Sequence, residues 1–186
     1  MEAAAQFLAV RSRSVAETRR RLLHLGFAAE LTETVLDRLG RLGYLDDRVF
    51  ARAWVESRDR SRPRGATALR QELRAKGVEE DVVRDTLGAR AAEFPSGATE
   101  RRHDGAVVAP DAEEAPSGSV DREAAHRLLS RKAASLGREP DHRRRRQKAY
   151  ALLARHGFDA GICRDLSLLV LEHEDADDPD AAKEET

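Results

Sequence analysis

Three stretches of this chain end in the same way. Aligned on Gly26, Gly77 and Gly157, the next residues are Phe27, Val78 and Phe158. Four residues earlier stand Leu22, Leu73 and Leu153, and five residues later Leu31, Val82 and Ile162. Thirteen earlier are Arg13, Arg64 and Arg144; fifteen earlier are Arg11, Arg62 and His142. Gly26 and Gly77 lie 51 residues apart and Gly77 and Gly157 lie 80 apart, or 54 once the 26 residues of Pro95–Val120 are set aside. A period near fifty with one insertion is an internal repeat, and stacked repeats bury the apolar face that one unit alone cannot. Leucines and helix-ending glycines coincide by chance easily. An arginine at the same place each time does not.

Each unit reads as helices. The apolar 40% of the chain is rich in Ala and Leu with one Ile, and unbranched side chains lose little rotamer freedom in a helix. A short helix over Glu2–Val10 is broken by Arg11-Ser12-Arg13. Ser14-Val15-Ala16-Glu17 is a capping box, in which the Ser hydroxyl accepts from the Glu17 amide and the Glu17 side chain reaches back. That second helix stops at Gly26, and a third begins near Glu30 with the stripe Leu31, Val35, Leu36, Leu39. The fold expected is all-α, an elongated array of three tandem three-helix repeats at 1–43, 44–94 and 121–171. Between them, 95–120 is rich in Pro, Gly, Ser and Ala without periodicity, the composition of a flexible linker. The end, 172–186, reads as an acidic disordered tail.

The stretch Leu42–Gly65 joins two units. It holds the only Trp, Trp54, then an elbow of alternating arginines, Arg58, Arg60, Arg62 and Arg64, closed by Pro63 and Gly65. Its acids Asp46 and Asp47 stand at a helix start, where capping accounts for them without catalysis. Phe50 and Trp54 read as packing. With Arg11, Arg13 and the cluster Arg143, Arg144, Arg145 and Arg146, the elbows are the candidate partner-binding residues. The planar guanidinium fork suits phosphate and carboxylate. The alternative is a solvated surface with no partner, but recurrence at one repeat position favours a binding ridge.

Charge supports a polyanionic or acidic partner. The net charge of −1 conceals a tail carrying −7 and an insertion carrying −3, so the remainder carries +9. Cys163 is the only cysteine, which excludes an intrachain disulfide and multi-cysteine metal sites. A buried small hydrophobe is its expected role. The six His are dispersed, and there is no phosphate-loop or nucleophile-elbow motif. The expectation is no enzyme, no cofactor and no metal. No apolar run approaches the roughly 20 residues that span a bilayer, and no secretory signal pattern opens the chain. A soluble, cytoplasmic monomer without membrane contact is expected.

GYLDDRVFARAWVESR followed by RPRG-x3-LRQELRAKGV resembles the signature of the RecX family of bacterial recombination regulators. RSRSVAETRRRLLHLGF is similar to that family's opening, and KAYALLARHGFD to its closing repeat. The long Pro95–Val120 and the short segment before Ala9 depart from the pattern. The resemblance implies a regulator of the RecA recombinase, acting in DNA recombination, repair and the SOS response. Such a protein lies in the helical groove of the RecA–DNA filament and restrains ATP hydrolysis and strand exchange, or favours filament disassembly, with single-stranded DNA a further contact. The rival reading is a stand-alone helical module that grips nucleic-acid phosphates with its arginine elbows.

Overall fold

The structure is a computed structural model, and it describes residues 1–92 and 118–172. Residues 95–117 of the expected linker at 95–120 and residues 173–186 of the expected tail at 172–186 lie outside the described residues. Among those described there are nine helices and no strand: α1 Glu2–Val10, α2 Val15–His24, α3 Ala29–Arg41, α4 Asp47–Ser61, α5 Ala66–Ala75, α6 Glu80–Ala92, α7 Gly118–Leu136, α8 His142–Arg155 and α9 Ala160–Glu172. The protein is all-α, built from three consecutive three-helix repeats.

Local chemistry sets the boundaries. The capping box at Ser14 and Glu17 is present in both directions, with Glu17 N donating to Ser14 Oγ at 3.0 Å. Asp46 Oδ1 accepts from the amides of Arg48 and Val49 and opens α4. Asp141 does the same for α8 through the Arg144 amide. Gly26, Gly77 and Gly157 have φ of 85°, 80° and 76°, so all three helix stops need a residue without a Cβ penalty in the left-handed region. Helix α7 begins at Gly118, inside the stretch whose composition suggests a linker. Val120 is buried there, which its polar, Gly-rich neighbours do not advertise.

Each repeat has its own core. Leu22, Leu36 and Leu39 meet Ala4 in the first; Phe50, Val55, Leu69 and Leu73 meet in the second; Leu128, Leu129, Leu153 and Phe158 meet in the third. Leu69, Leu73 and Leu153 are fully buried, so truncating any of them to Ala removes about 3 kcal/mol. Helices α4 and α6 are tied by Arg90 and Asp59, which pair through two bonds of 2.9 Å across a largely buried site.

The chain divides into two compact units, Met1–Ser61 with Leu69–Glu93, and Arg62–Ala68 with Phe94–Thr186. In the first unit, the start of α2 is seated on the end of α5. Ser14 Oγ donates to the Lys76 carbonyl at 2.6 Å, and Ala16 lies over Gly77. The free amide of Val15 donates to Asp47 Oδ1 at 2.9 Å. The second unit has a matching joint. The Gly65 amide donates to the His156 carbonyl at 3.0 Å, Ala68 lies over Gly157, and the Ala66 amide donates to Asp121 Oδ2 at 2.8 Å. In both joints a helix start covers a glycine stop, and a carboxylate from a third helix satisfies one of the orphan amides.

Candidate partner-binding surface

The ten candidate arginines do not share one environment. Arg11, Arg13, Arg58 and Arg60 belong to the first compact unit, and Arg62, Arg64 and Arg143–Arg146 to the second. In the first unit Arg13 and Arg58 are used internally. Arg13 is half-buried with its guanidinium 4.3 Å above the Phe7 ring. Arg58 pairs with Glu72 at 2.6 Å and covers Trp54 at 4.3 Å, on a side chain only 22% exposed. Arg11 and Arg60 are exposed at the edges of α1 and α4.

Arg58 belongs to a chain of contacts that joins the first two repeats. Trp54 Nε1 donates to Glu72, the same carboxylate that takes Arg58. Lys76 lies 4.8 Å from the Trp54 ring and donates to Glu17 at 2.7 Å. Burial pushes the Glu17 carboxyl up, but Lys76 and the Ser14 amide outweigh it and hold the group below the ordinary range. At the same joint Asp47 moves the other way. Burial raises it, and Asp46 and Glu79 add to that against the Val15 amide and Arg19. Trp54 is half-buried at the edge of the second core, within reach of two cations and tilted 30° against Phe50, with ring centroids 5.9 Å apart. It is packing with a polar handle.

The second unit is different. Arg62 is exposed, and Arg64 is half-buried in the turn before α5. Arg13 and Arg64 both precede a helix, whereas Arg144 lies inside the first turn of one, because α8 starts at His142, fifteen residues before its stop, against eleven for α2 and α5. Asp141 caps that extra turn. Arg143, Arg144 and Arg146 are exposed on it, and Arg144 reaches Asp141 at 3.7 Å with 73% of its side chain accessible. Arg145 is a correction to the candidate set as a surface: it is 6% exposed, and its Nε donates to the Glu139 carbonyl at 2.9 Å. It stands at the repeat position of Ser14 and Gly65, which are also buried, but its carbonyl partner lies in its own repeat. Glu139 also binds Lys148, and that bond, first among its causes, holds the Glu139 carboxyl low.

Sequence reasoning missed Asp121. It sits one residue past the suspected linker, 2% exposed, and plays the part that Asp47 plays in the first unit. An acid opening the first helix of a repeat was the available signal.

Residues 1–39, 46–87 and 120–166 match, in that order, the family models of the first, second and third three-helix domains of RecX. The chain belongs to the RecX family. A regulatory protein RecX of Pelodictyon phaeoclathratiforme is 32% identical over 96% of this chain and 94% of its own length. The regulatory protein RecX of Thermobifida fusca is 37% identical over 78% of this chain, which covers 64% of that relative, just under two thirds. A crystal structure of RecX from Lactobacillus salivarius shares the fold, with a TM-score of 0.66 at 17% identity over 92% of this chain and 94% of that one. This RecX chain therefore sits among regulatory proteins. Among its described residues no helix is long and apolar enough to cross a membrane, and no three His, Cys, Asp or Glu side chains gather as a metal site.

Proposed function

We propose that this RecX family member is a cytoplasmic, non-catalytic regulator that binds the RecA–DNA filament in its helical groove and restrains ATPase and strand exchange during recombination and repair. Its work is differential binding: it shifts filament activity only by favouring one filament state over another. The observation that carries the reading is the exposed arginine group Arg143, Arg144 and Arg146 on α8, together with Arg62 in the same compact unit. Three of these forks project from one turn, where they can meet acidic recombinase surface or DNA phosphate. The test is the DNA-dependent ATPase and strand exchange of the host recombinase with and without the protein. Both fall if the proposal holds; rates unchanged at saturating protein count against it.

A second reading, stand-alone binding to nucleic-acid phosphates, is favoured by one feature. The first turn of α8 has no acid and carries Arg143 and Arg144, although the helix dipole disfavours cations there by about 0.3–1 kcal/mol each. A bound anion would relieve that cost. Tight DNA binding without recombinase, falling steeply as salt rises, would promote this reading over the first.

A further inference from the structure

One face of α8 departs from the repeat. Seven residues before their glycine stops, the first two repeats carry Arg19 and Arg70. Each meets an acid on the next helix, Arg19 with Glu33 at 2.6 Å and Arg70 with Glu80 at 3.9 Å. The third repeat has Tyr150 there, 37% exposed, and at the positions of those two acids it has Arg164 and Ala160. Arg146 and Arg143 precede Tyr150 by four and seven residues, so the three share one face of α8. Arg144 and Lys148 lie further round the helix, where they meet Asp141 and Glu139. Among the described residues neither Arg143 nor Arg146 pairs with an acid. Arg164 is exposed on α9, which packs against α8, and Asp159 is turned to the Gly161 amide at 2.6 Å.

Resting on the reading of the α8 arginines as the partner-binding surface, we infer that this face grips single-stranded nucleic acid, with phosphates on Arg143 and Arg146 and an unpaired base stacked on Tyr150. Cations that track the backbone beside a ring that takes a base are how sequence-tolerant strand binding is built. The rise of the helix puts Tyr150 about 6 Å beyond Arg146 and about 10 Å beyond Arg143, so neighbouring nucleotides of one strand can meet the three in turn. The ring decides between strand types. Duplex phosphates would satisfy both arginines equally well, but a paired base lies within its stack and shows only its edges in the grooves. An unpaired base offers its face. The ring also decides against an acidic protein surface. In the first two repeats the residue that meets a carboxylate at this position is arginine, and the third repeat has given that arginine up for an aromatic.

The experiment uses the full chain with a labelled oligothymidine and a labelled duplex of the same length, read by fluorescence anisotropy. Tyr150→Phe should bind the single strand as the parent does, and Tyr150→Leu about tenfold more weakly, with duplex binding and helicity unchanged in both. Arg143→Ala combined with Arg146→Ala should weaken binding to both strand types and lower the slope of log affinity against log salt on the single strand by about 1.4, as two phosphate contacts require. Parent-like single-strand binding by Tyr150→Leu, or an equal loss on the duplex, would overturn the stacking role and leave the arginine surface standing. Binding untouched by the double arginine variant would remove the arginine surface, and the inference with it. If the parent binds no oligonucleotide, yet Tyr150→Leu loses cosedimentation with the recombinase filament, the inference is overturned in favour of a protein partner at this face.

Discussion

Gly26 and Gly157 have nearly the same backbone and opposite surroundings. Both end a helix at positive φ, 85° and 76°. A Cβ added at Gly26 meets nothing within 4 Å, whereas one at Gly157 runs into Ala68, with its amide nitrogen at 2.5 Å. Gly77 resembles Gly157, since its added Cβ meets Ala16. One sequence signal thus serves two demands. The stop itself requires only the left-handed conformation, while the joint also requires that another helix start come close. The first repeat has the stop without the joint.

The largest effects should come where both demands meet. Gly157→Ala combines left-handed strain with backbone overlap and should destabilise by about 3 kcal/mol, with Gly77→Ala close behind, in chemical denaturation. Gly65→Ala separates the two. Gly65 is not at positive φ, yet its Cβ would overlap the Gly157 carbonyl, so it should cost about 2 kcal/mol through packing alone. Gly26→Ala isolates the strain and should cost about 1 kcal/mol. Equal losses at Gly26 and Gly157 would break the comparison.

Next in size is the carboxylate of each joint. Asp121→Ala leaves the Ala66 amide without its acceptor in a buried place and should cost about 2 kcal/mol; Asp47→Ala, at a half-buried site, about 1 kcal/mol. Arg144 and Arg145 form a sharper pair, being neighbours in sequence. Arg145→Ala should destabilise by about 1–2 kcal/mol, and Arg144→Ala should stay within about 0.5 kcal/mol of the parent.

The smallest effect is on acid stability. Glu17 is held below the ordinary range in the folded protein, so it contributes stability that is full above the unfolded carboxyl pKa and is lost as pH falls through the lower folded value. Asp47 is raised and works in the opposite sense, favouring the folded state as it takes up its proton. Glu17→Gln should therefore lower stability at neutral pH and flatten its decline in acid. An unchanged acid limb of the stability profile would show that Lys76 does not hold Glu17 in solution.

Much of this was legible in the residues. Helix starts at Ser14 and Asp141 and stops at the three glycines are local chemistry, carried by the residues that do the work. The repeat was legible because the same core positions recur. The environments of the arginines were not, because charge alone does not say which face a side chain occupies. Arg13, Arg58 and Arg145 differ from Arg143, Arg144 and Arg146 through Phe7, Glu72 and the Glu139 carbonyl, none of which the arginine spacing specifies. Asp121 was hidden by the polar, Gly-rich run before it. The exposure of Phe27 and Leu31 was hidden by the repeat itself, since they look like the core residues they match.

The partition of arginines carries the functional reading, and one measurement addresses it directly. Cosedimentation with recombinase on single-stranded DNA should show binding at least tenfold weaker for the combined Arg143→Ala, Arg144→Ala and Arg146→Ala variant than for the parent, with unchanged helicity by circular dichroism. Equal binding by a fully folded variant would contradict the role given to α8.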